Sequence, residues 1–236
     1  MQKKTTAPGQ PVIPAEIQAQ VPSHARRVDS VCVYCGSGKG VNPAYAITAR
    51  KLGKALADNN IRLVYGGGSL GLMGEVARSC LGAGGKVTGI IPEFLGAKEK
   101  MLQDVDELIV VEDMHVRKRL MFERSDAFVA LPGGIGTLEE LVEQLTWSQL
   151  GRHSKPIVVA NIDGFWTPFL DLLSHMKGET FIRAGLDVHF AVVDSPEKIL
   201  PAVLAAAKSG PLNGDHANVA QLNCLPPVYK RNTPGF

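Results

Sequence analysis

Three short β-rich runs in this 236-residue sequence end directly in glycine clusters. Val31–Cys35 leads into Gly36-Ser37-Gly38-Lys39-Gly40, and Ile61–Tyr65 into Gly66-Gly67-Gly68-Ser69-Leu70-Gly71-Leu72-Met73-Gly74. Ala127–Leu131 leads into Pro132-Gly133-Gly134-Ile135-Gly136-Thr137. A helical pattern starts at, or a few residues after, each cluster. This strand–glycine–helix order limits what the chain can fold into more than any other feature. Glycine at such a junction lets the backbone turn sharply and approach a ligand closely. The helix that follows offers N–H groups without intrahelical partners and the positive end of its dipole, which favour a phosphate or carboxylate. Eleven of the 25 glycines lie in these clusters, so the glycine excess is positional and not a mark of low complexity.

Four further strand candidates follow: Lys86–Ile91, Leu108–Val111, Pro156–Asn161 and His189–Val193. Helical patterns separate them: Ala44–Asn59, with Ile47, Leu52, Ala55 and Leu56 on one stripe, then Leu72–Gly82, Met114–Ser125, Thr137–Leu150, Phe165–Met176 and Pro196–Lys208. The runs from Ala127 and Pro156 are almost wholly apolar, as in strands covered on both faces. The alternation predicts an α/β, doubly wound fold: a mostly parallel sheet of about seven strands with helices on both faces. Ligands on such sheets bind at the carboxyl ends of the strands. The body spans residues 30–208. Residues 1–29 and 209–236 hold eight of the 15 prolines and read as mobile or extended segments.

Composition narrows the function. A net charge of +2 argues against a nucleic-acid binder driven by electrostatics. No apolar run reaches the roughly 18 residues of a membrane span. The first residues, Met1-Gln-Lys-Lys-Thr-Thr, lack the apolar core of a secretory leader, and Cys32, Cys35, Cys80 and Cys224 fit a reduced compartment. The expectation is a cytoplasmic protein. Cys32-x-x-Cys35 is compatible with a redox pair or half a metal site. It lies in an apolar strand, however, and no second Cys/His pair has ligand spacing, so no metal is expected.

The motifs then bear on which phosphate ligand is bound. Gly66-x-Gly68-x-x-Gly71 matches the dinucleotide fingerprint, but the next strand does not end in the acidic residue that fingerprint requires, and Glu93 is only a late substitute. Gly36-Ser37-Gly38-Lys39-Gly40 has the wrong spacing for a nucleotide-triphosphate loop and no Ser/Thr for magnesium. Arg117 and Lys118 open a helix at a strand's carboxyl end. They read either as a solvated basic face or as partners of a phosphate or a developing negative charge. Thr137 and Glu140 form a capping box, with Thr137 as N-cap, or else Glu140 turns to a sugar hydroxyl beside the phosphate loop.

The segment Pro132–Glu140 reads PGGxGTxxE. Taken with Gly66–Gly74, with Met114-His115-x-Arg117-Lys118-x-x-Met121 and with Leu145–Gly151, the sequence closely resembles the Lonely Guy family over about residues 30–208. These are cytokinin riboside 5'-monophosphate phosphoribohydrolases, also labelled lysine decarboxylase-like. The resemblance implies a Rossmann-like dimer without cofactor or metal. Such enzymes cleave the N-glycosidic bond of an N6-modified adenosine 5'-monophosphate, releasing the free base and ribose 5-phosphate. It places the catalytic pair on Arg117 and Glu140. Nucleotide binding falls on Lys118, on Gly134, Ile135, Gly136, Thr137, Leu138, Glu139 and Glu140, and on Thr146. The glycine-loop reading adds Gly133, Ser37 and Gly68 to the binding set. Ile135 stands where plant members often carry an aromatic residue, and the stretch Lys98–Glu107 is shorter, so base preference is not carried over. Lysine decarboxylation would require a lysine for pyridoxal phosphate with an acid at the pyridine nitrogen, and no residue pair points to one. The alternative is a non-catalytic nucleotide-binding sensor of the same fold.

Overall fold

All seven strand runs form, and every neighbouring pair is parallel. The computed structural model describes residues 26–182 and 186–209. Its strands are β1 (Ser30–Tyr34), β2 (Arg62–Tyr65), β3 (Val87–Pro92), β4 (Glu107–Val111), β5 (Ala127–Ala130), β6 (Ile157–Ala160) and β7 (Ala191–Val193). The helices are α1 (Pro43–Asp58), α2 (Gly71–Gly82), α3 (Glu93–Glu99), α4 (Met114–Glu123), α5 (Ile135–Gln149), α6 (Thr167–Gly178) and α7 (Pro196–Ser209). Six of these helices lie where the sequence pattern put them, with ends shifted by two residues or fewer. The seventh, α3, and a 3-10 turn at Ile162–Gly164 occupy stretches where no element was expected.

The strand order is β4-β3-β2-β1-β5-β6-β7. The chain winds outward from β1 to β4, then returns to the far side of β1 and winds the other way. The winding therefore reverses between β1 and β5, and loops leaving these neighbours diverge to opposite faces and open a crevice at their carboxyl ends. Two of the three glycine clusters follow these two strands. Register brings them together: Tyr34 pairs with Ala130, and the Gly36 N–H donates to the Pro132 carbonyl at 3.1 Å.

One core lies between the sheet and α1, α2 and α7, and the other between the sheet and α4, α5 and α6. Along β1 the side chains alternate, with Val31 and Val33 in the first core and Cys32 and Tyr34 in the second. Cys35 returns to the first core, so it and Cys32 lie on opposite faces and do not form the redox or metal pair their spacing allows. Among the described residues no cluster of His, Cys, Asp and Glu is suited to a metal ion; Cys224 lies outside them. The predicted stripe on α1 needs one correction. Leu52 and Leu56 are buried, but Ile47 is 42% exposed. The buried face runs instead through Thr48, Ala49, Leu52, Gly53, Leu56 and Ala57, because α1 crosses α2 closely at Gly53. A Cβ there would stand 2.3 Å from the Val76 carbonyl oxygen.

Residues 26–29 pack on the body. The Arg26 N–H donates to the Ala207 carbonyl at 3.2 Å, Val28 is buried, and the Asp29 N–H donates to the Asp126 carboxylate at 3.0 Å. Residues 1–25 and 210–236 of the two proline-containing segments lie outside the described residues, and Ser209 closes α7. No helix among the described residues is long and apolar enough to cross a membrane.

Candidate active site

The crevice floor is built by interlocked loops. Gly71 has a positive φ of 57°, and a Cβ on it would lie 2.2 Å from the Ser37 carbonyl, so the loop after β2 fits tightly against the loop after β1. The Leu72 N–H donates to the Gly36 carbonyl at 3.0 Å, tying the start of α2 to the same loop. Ser37 and Gly38 remain exposed at the rim. Gly68 is buried and pairs with Met101 in a single antiparallel bridge, flanked by Ser69 N–H to Lys100 O at 2.9 Å and Leu102 N–H to Gly67 O at 3.1 Å.

The third loop leads into α5, and here the structure corrects the sequence reading. The helix begins at Ile135, two residues early, with Gly134 as an N-cap that offers no side-chain hydrogen bond. Thr137 is thus the third helical residue and no capping box forms. Its side chain is buried and packs back on Gly133, where a Cβ would lie 2.2 Å from Thr137 Oγ1. The first intrahelical bond is Leu138 N–H to Gly134 O at 3.0 Å. The N–H groups of Ile135, Gly136 and Thr137 therefore have no intrahelical acceptor. A Cβ on Gly134 or Gly136 would meet no atom within 4 Å, so the protein's own packing does not require glycine at either position. Together they leave the helix start bare and open to an anion. Ile135, between them, is 82% exposed.

Arg117 is carried by α4, which follows β4. Asp113 caps α4, accepting from the N–H groups of His115 at 2.7 Å and Val116 at 2.8 Å. Those bonds hold its carboxyl below the usual range, the one from Val116 most strongly. One turn on, Arg117 is only 6% exposed. Its Nε donates to the Ile90 carbonyl at 3.1 Å and its Nη2 to the Gly66 carbonyl at 3.2 Å, so it grips the carboxyl ends of β3 and β2. Its Nη1 has the Met114 sulfur at 3.7 Å. Glu140, on the buried side of α5, is 8% exposed. Arg117 and Glu140 both act on the Cys32 thiol beneath them. Burial raises its pKa first, the Glu140 carboxylate raises it further, and the Tyr34 hydroxyl and the Arg117 charge oppose the rise. The Cys32 thiol on β1 thus feels both a buried cation and a buried carboxylate.

Lys118 points elsewhere. Its ammonium lies 2.5 Å from Glu139 Oε1 and 3.0 Å from Glu143 Oε1, bridging α4 to α5. Burial lowers its pKa, but these two hydrogen bonds outweigh that and hold it above its ordinary value. Leu138 is half-buried against the second core. Thr146 is exposed, with its hydroxyl donating to the Val142 carbonyl at 2.8 Å. It lies roughly 16 Å along α5 from Ile135 at 1.5 Å per residue, away from the crevice rim.

Two groups beside the site, buried Tyr34 and half-buried Glu143, escaped the sequence reading. Tyr34 stacks on Phe128 with ring centroids 5.9 Å apart. Burial drives its hydroxyl pKa well up, and Cys32, Glu140 and Glu143 add to the rise. Glu143 carries a second carboxylate oxygen that is buried without a hydrogen-bond partner among the described residues. The Glu139/Glu143 spacing of four on a helix facing a lysine was the available signal for Glu143. Tyr34 gave none, because a tyrosine ending an apolar strand reads as core.

The family model described as "Possible lysine decarboxylase" matches residues 73–203. The cytokinin riboside 5'-monophosphate phosphoribohydrolase of Oryza sativa subsp. japonica is 46% identical over 170 residues, 72% of this chain and 69% of its own length. The enzyme of that name from Rhodococcoides fascians is 48% identical over 175 residues, 74% of this chain and 88% of its own. Among solved structures, the molybdenum cofactor (Moco) carrier protein of Chlamydomonas reinhardtii aligns with a TM-score of 0.57 at 25% identity, covering 76% of this chain and 98% of that one. The glycine loops, the buried arginine and the buried glutamate thus occur in a chain that belongs to the cytokinin riboside 5'-monophosphate phosphoribohydrolase family, the Lonely Guy family.

Proposed function

We propose that the chain hydrolyses the N9–C1' bond of N6-modified adenosine 5'-monophosphates, releasing the free base and ribose 5-phosphate. The observation that carries this reading is a helix start left bare by two glycines on a helix that also carries a buried carboxylate, with a buried guanidinium at the carboxyl ends of β2 and β3 in the same sheet. The N–H groups of Ile135, Gly136 and Thr137 receive the 5'-phosphate, with Gly133, Gly134 and Ser37 shaping its rim. Departure of the base leaves positive charge on the ribose, as in glycoside cleavage. Glu140 accepts hydrogen bonds from the ribose hydroxyls and offsets that charge. Arg117 has two nitrogens committed to backbone carbonyls, so it is held rigidly. Its Nη1, which has a sulfur partner in Met114, engages the nucleotide. Water completes the cleavage at C1'.

Removing a charge that acts mainly in the transition state lowers kcat more than it raises KM. Glu140→Gln therefore loses roughly 10²-fold or more in kcat, the range for electrostatic stabilisers. Gln keeps the shape, so the fold is retained. Isopentenyl-AMP and AMP are incubated with each protein and free base is read by chromatography, with the nucleoside as control. Wild-type turnover by Glu140→Gln refutes the assignment, and nucleotide binding without base release points to the sensor. Appreciable nucleoside cleavage counts against the phosphate loop.

The same reading includes a homodimer. Thr146 is assigned to nucleotide binding by the resemblance, yet it lies far from its own rim on an exposed face shared with Val142 and Leu150. A second copy packed on α5 brings the two requirements together. Light scattering that returns the mass of a single chain removes this part of the proposal.

A further inference from the structure

Three carboxylates fall within five residues of one helix: Glu139, Glu140 and Glu143 on α5. The start of that helix is where the proposed function puts a dianionic phosphate. Each uncompensated carboxylate nearby repels it, and the repulsions add. Against them stands Lys118, whose side chain is only 15% exposed. Its ammonium contacts Glu139 at 2.5 Å and Glu143 at 3.0 Å, and no other ion pair reaches either carboxylate among the described residues. Two of its three N–H donors are already committed. The trio carries a net charge of −1, so it is no attractor for an anion. Arg117, one position earlier on α4, turns instead to the Ile90 and Gly66 carbonyls. The two adjacent basic residues therefore have separate tasks.

We propose that Lys118 is a positioning residue that acts through Glu139 and Glu143. It pins and neutralises the carboxylates flanking Glu140, so that the start of α5 stays receptive to phosphate, and it does not itself hold that phosphate. This rests on the phosphate placement given under the proposed function. It assigns Lys118 a role different from the direct nucleotide contact that the resemblance implies.

The test uses the full chain and three variants: Lys118→Met, the double Glu139→Gln/Glu143→Gln, and the triple combination. KM and kcat are measured with isopentenyl-AMP at low and high salt, and ribose 5-phosphate binding is measured by calorimetry. Lys118→Met raises KM about tenfold while kcat changes less than about threefold, as expected when the net charge beside a dianion becomes one unit more negative. The defect shrinks at ~1 M salt, where the screening length falls to ~3 Å. A purely structural role would not produce that salt dependence. The triple variant returns KM to within about threefold of wild type, because the charges that required Lys118 are gone. A triple variant as weak as Lys118→Met overturns the proposal, since Lys118 then touches the phosphate directly. If Lys118→Met does not fold, the double variant decides: it binds more tightly than wild type, and weaker binding overturns the proposal. If wild type releases no base from any nucleotide, the proposed activity fails. The same ordering of ribose 5-phosphate affinities then still upholds or overturns the role of Lys118.

Discussion

A methyl group on Gly66 would stand 2.1 Å from Arg117 Nη2 and 3.1 Å from the Met73 sulfur. The guanidinium thus occupies the space a side chain would take, and glycine there is a condition for holding Arg117. Gly66→Ala pushes Arg117 off the Gly66 and Ile90 carbonyls. In the proposed function Arg117 engages the nucleotide, and misplacing such a group by about 1 Å can cost 10²-fold, so kcat falls at least tenfold, measured by base release. Circular dichroism stays native, because the atoms that must give way are side-chain ends and not backbone. The arginine and the glutamate were legible in the sequence as a basic helix start and a PGGxGTxxE segment. The partners of Arg117 were not legible, since carbonyls on β2 and β3 become its acceptors only once the sheet places them together. The use of Lys118 was hidden for the same reason, since it depends on where α4 meets α5.

At the scale of the element, the start of α5 shows a conflict between stability and binding. Gly136 is the second residue of the helix and a Cβ there meets nothing within 4 Å. Alanine is favoured over glycine in a helix by roughly 0.5–1 kcal/mol. Gly136→Ala therefore raises Tm by about 1–4 °C in a chain of this length. The same methyl group projects where the proposed function puts the phosphate, so KM for the nucleotide rises as stability improves. A scanning melt and a KM measurement on one preparation check both halves, and a stabilised variant with unchanged KM removes Gly136 from the phosphate cradle. The strands were the most legible elements because β5 and β6 are covered on both faces and read as unbroken apolar runs. The start of α5 was misread because Thr137 and Glu140 match a capping box in spacing. An extended Gly134 begins the helix before that box can form. The short α3 went unseen because Pro92, its N-cap, ends a strand and supplies no capping side chain.

For the whole molecule, the reversal of winding between β1 and β5 makes the site, and the packing that fixes the strands also sets its response to acid. His153 links α5 to β6. The Lys155 N–H donates to its Nδ1 at 3.1 Å, so Nε2 carries the proton and donates to the Gln144 carbonyl at 3.2 Å. The ring packs against Phe122 and Phe128, with centroids 5.4 and 5.7 Å away. Burial pushes its pKa down from 6.5 to about 4, the Gln144 carbonyl opposes this, and the Lys155 and Arg26 charges reinforce it. A histidine with a lowered folded pKa binds fewer protons folded than unfolded between those two values. Stability is therefore full above pH 6.5 and declines as pH falls toward 4. The lowered carboxylates Glu75 and Glu107 act in a different window, since their stabilisation is lost only below their ordinary value of 4.5. Among the described residues, the decline between pH 6.5 and 4.5 thus belongs chiefly to His153. Tm measured across that range falls in the wild type, and His153→Gln flattens the slope while lowering Tm at pH 7, where the ring contacts are lost. An unchanged slope in His153→Gln would assign the acid sensitivity to another group.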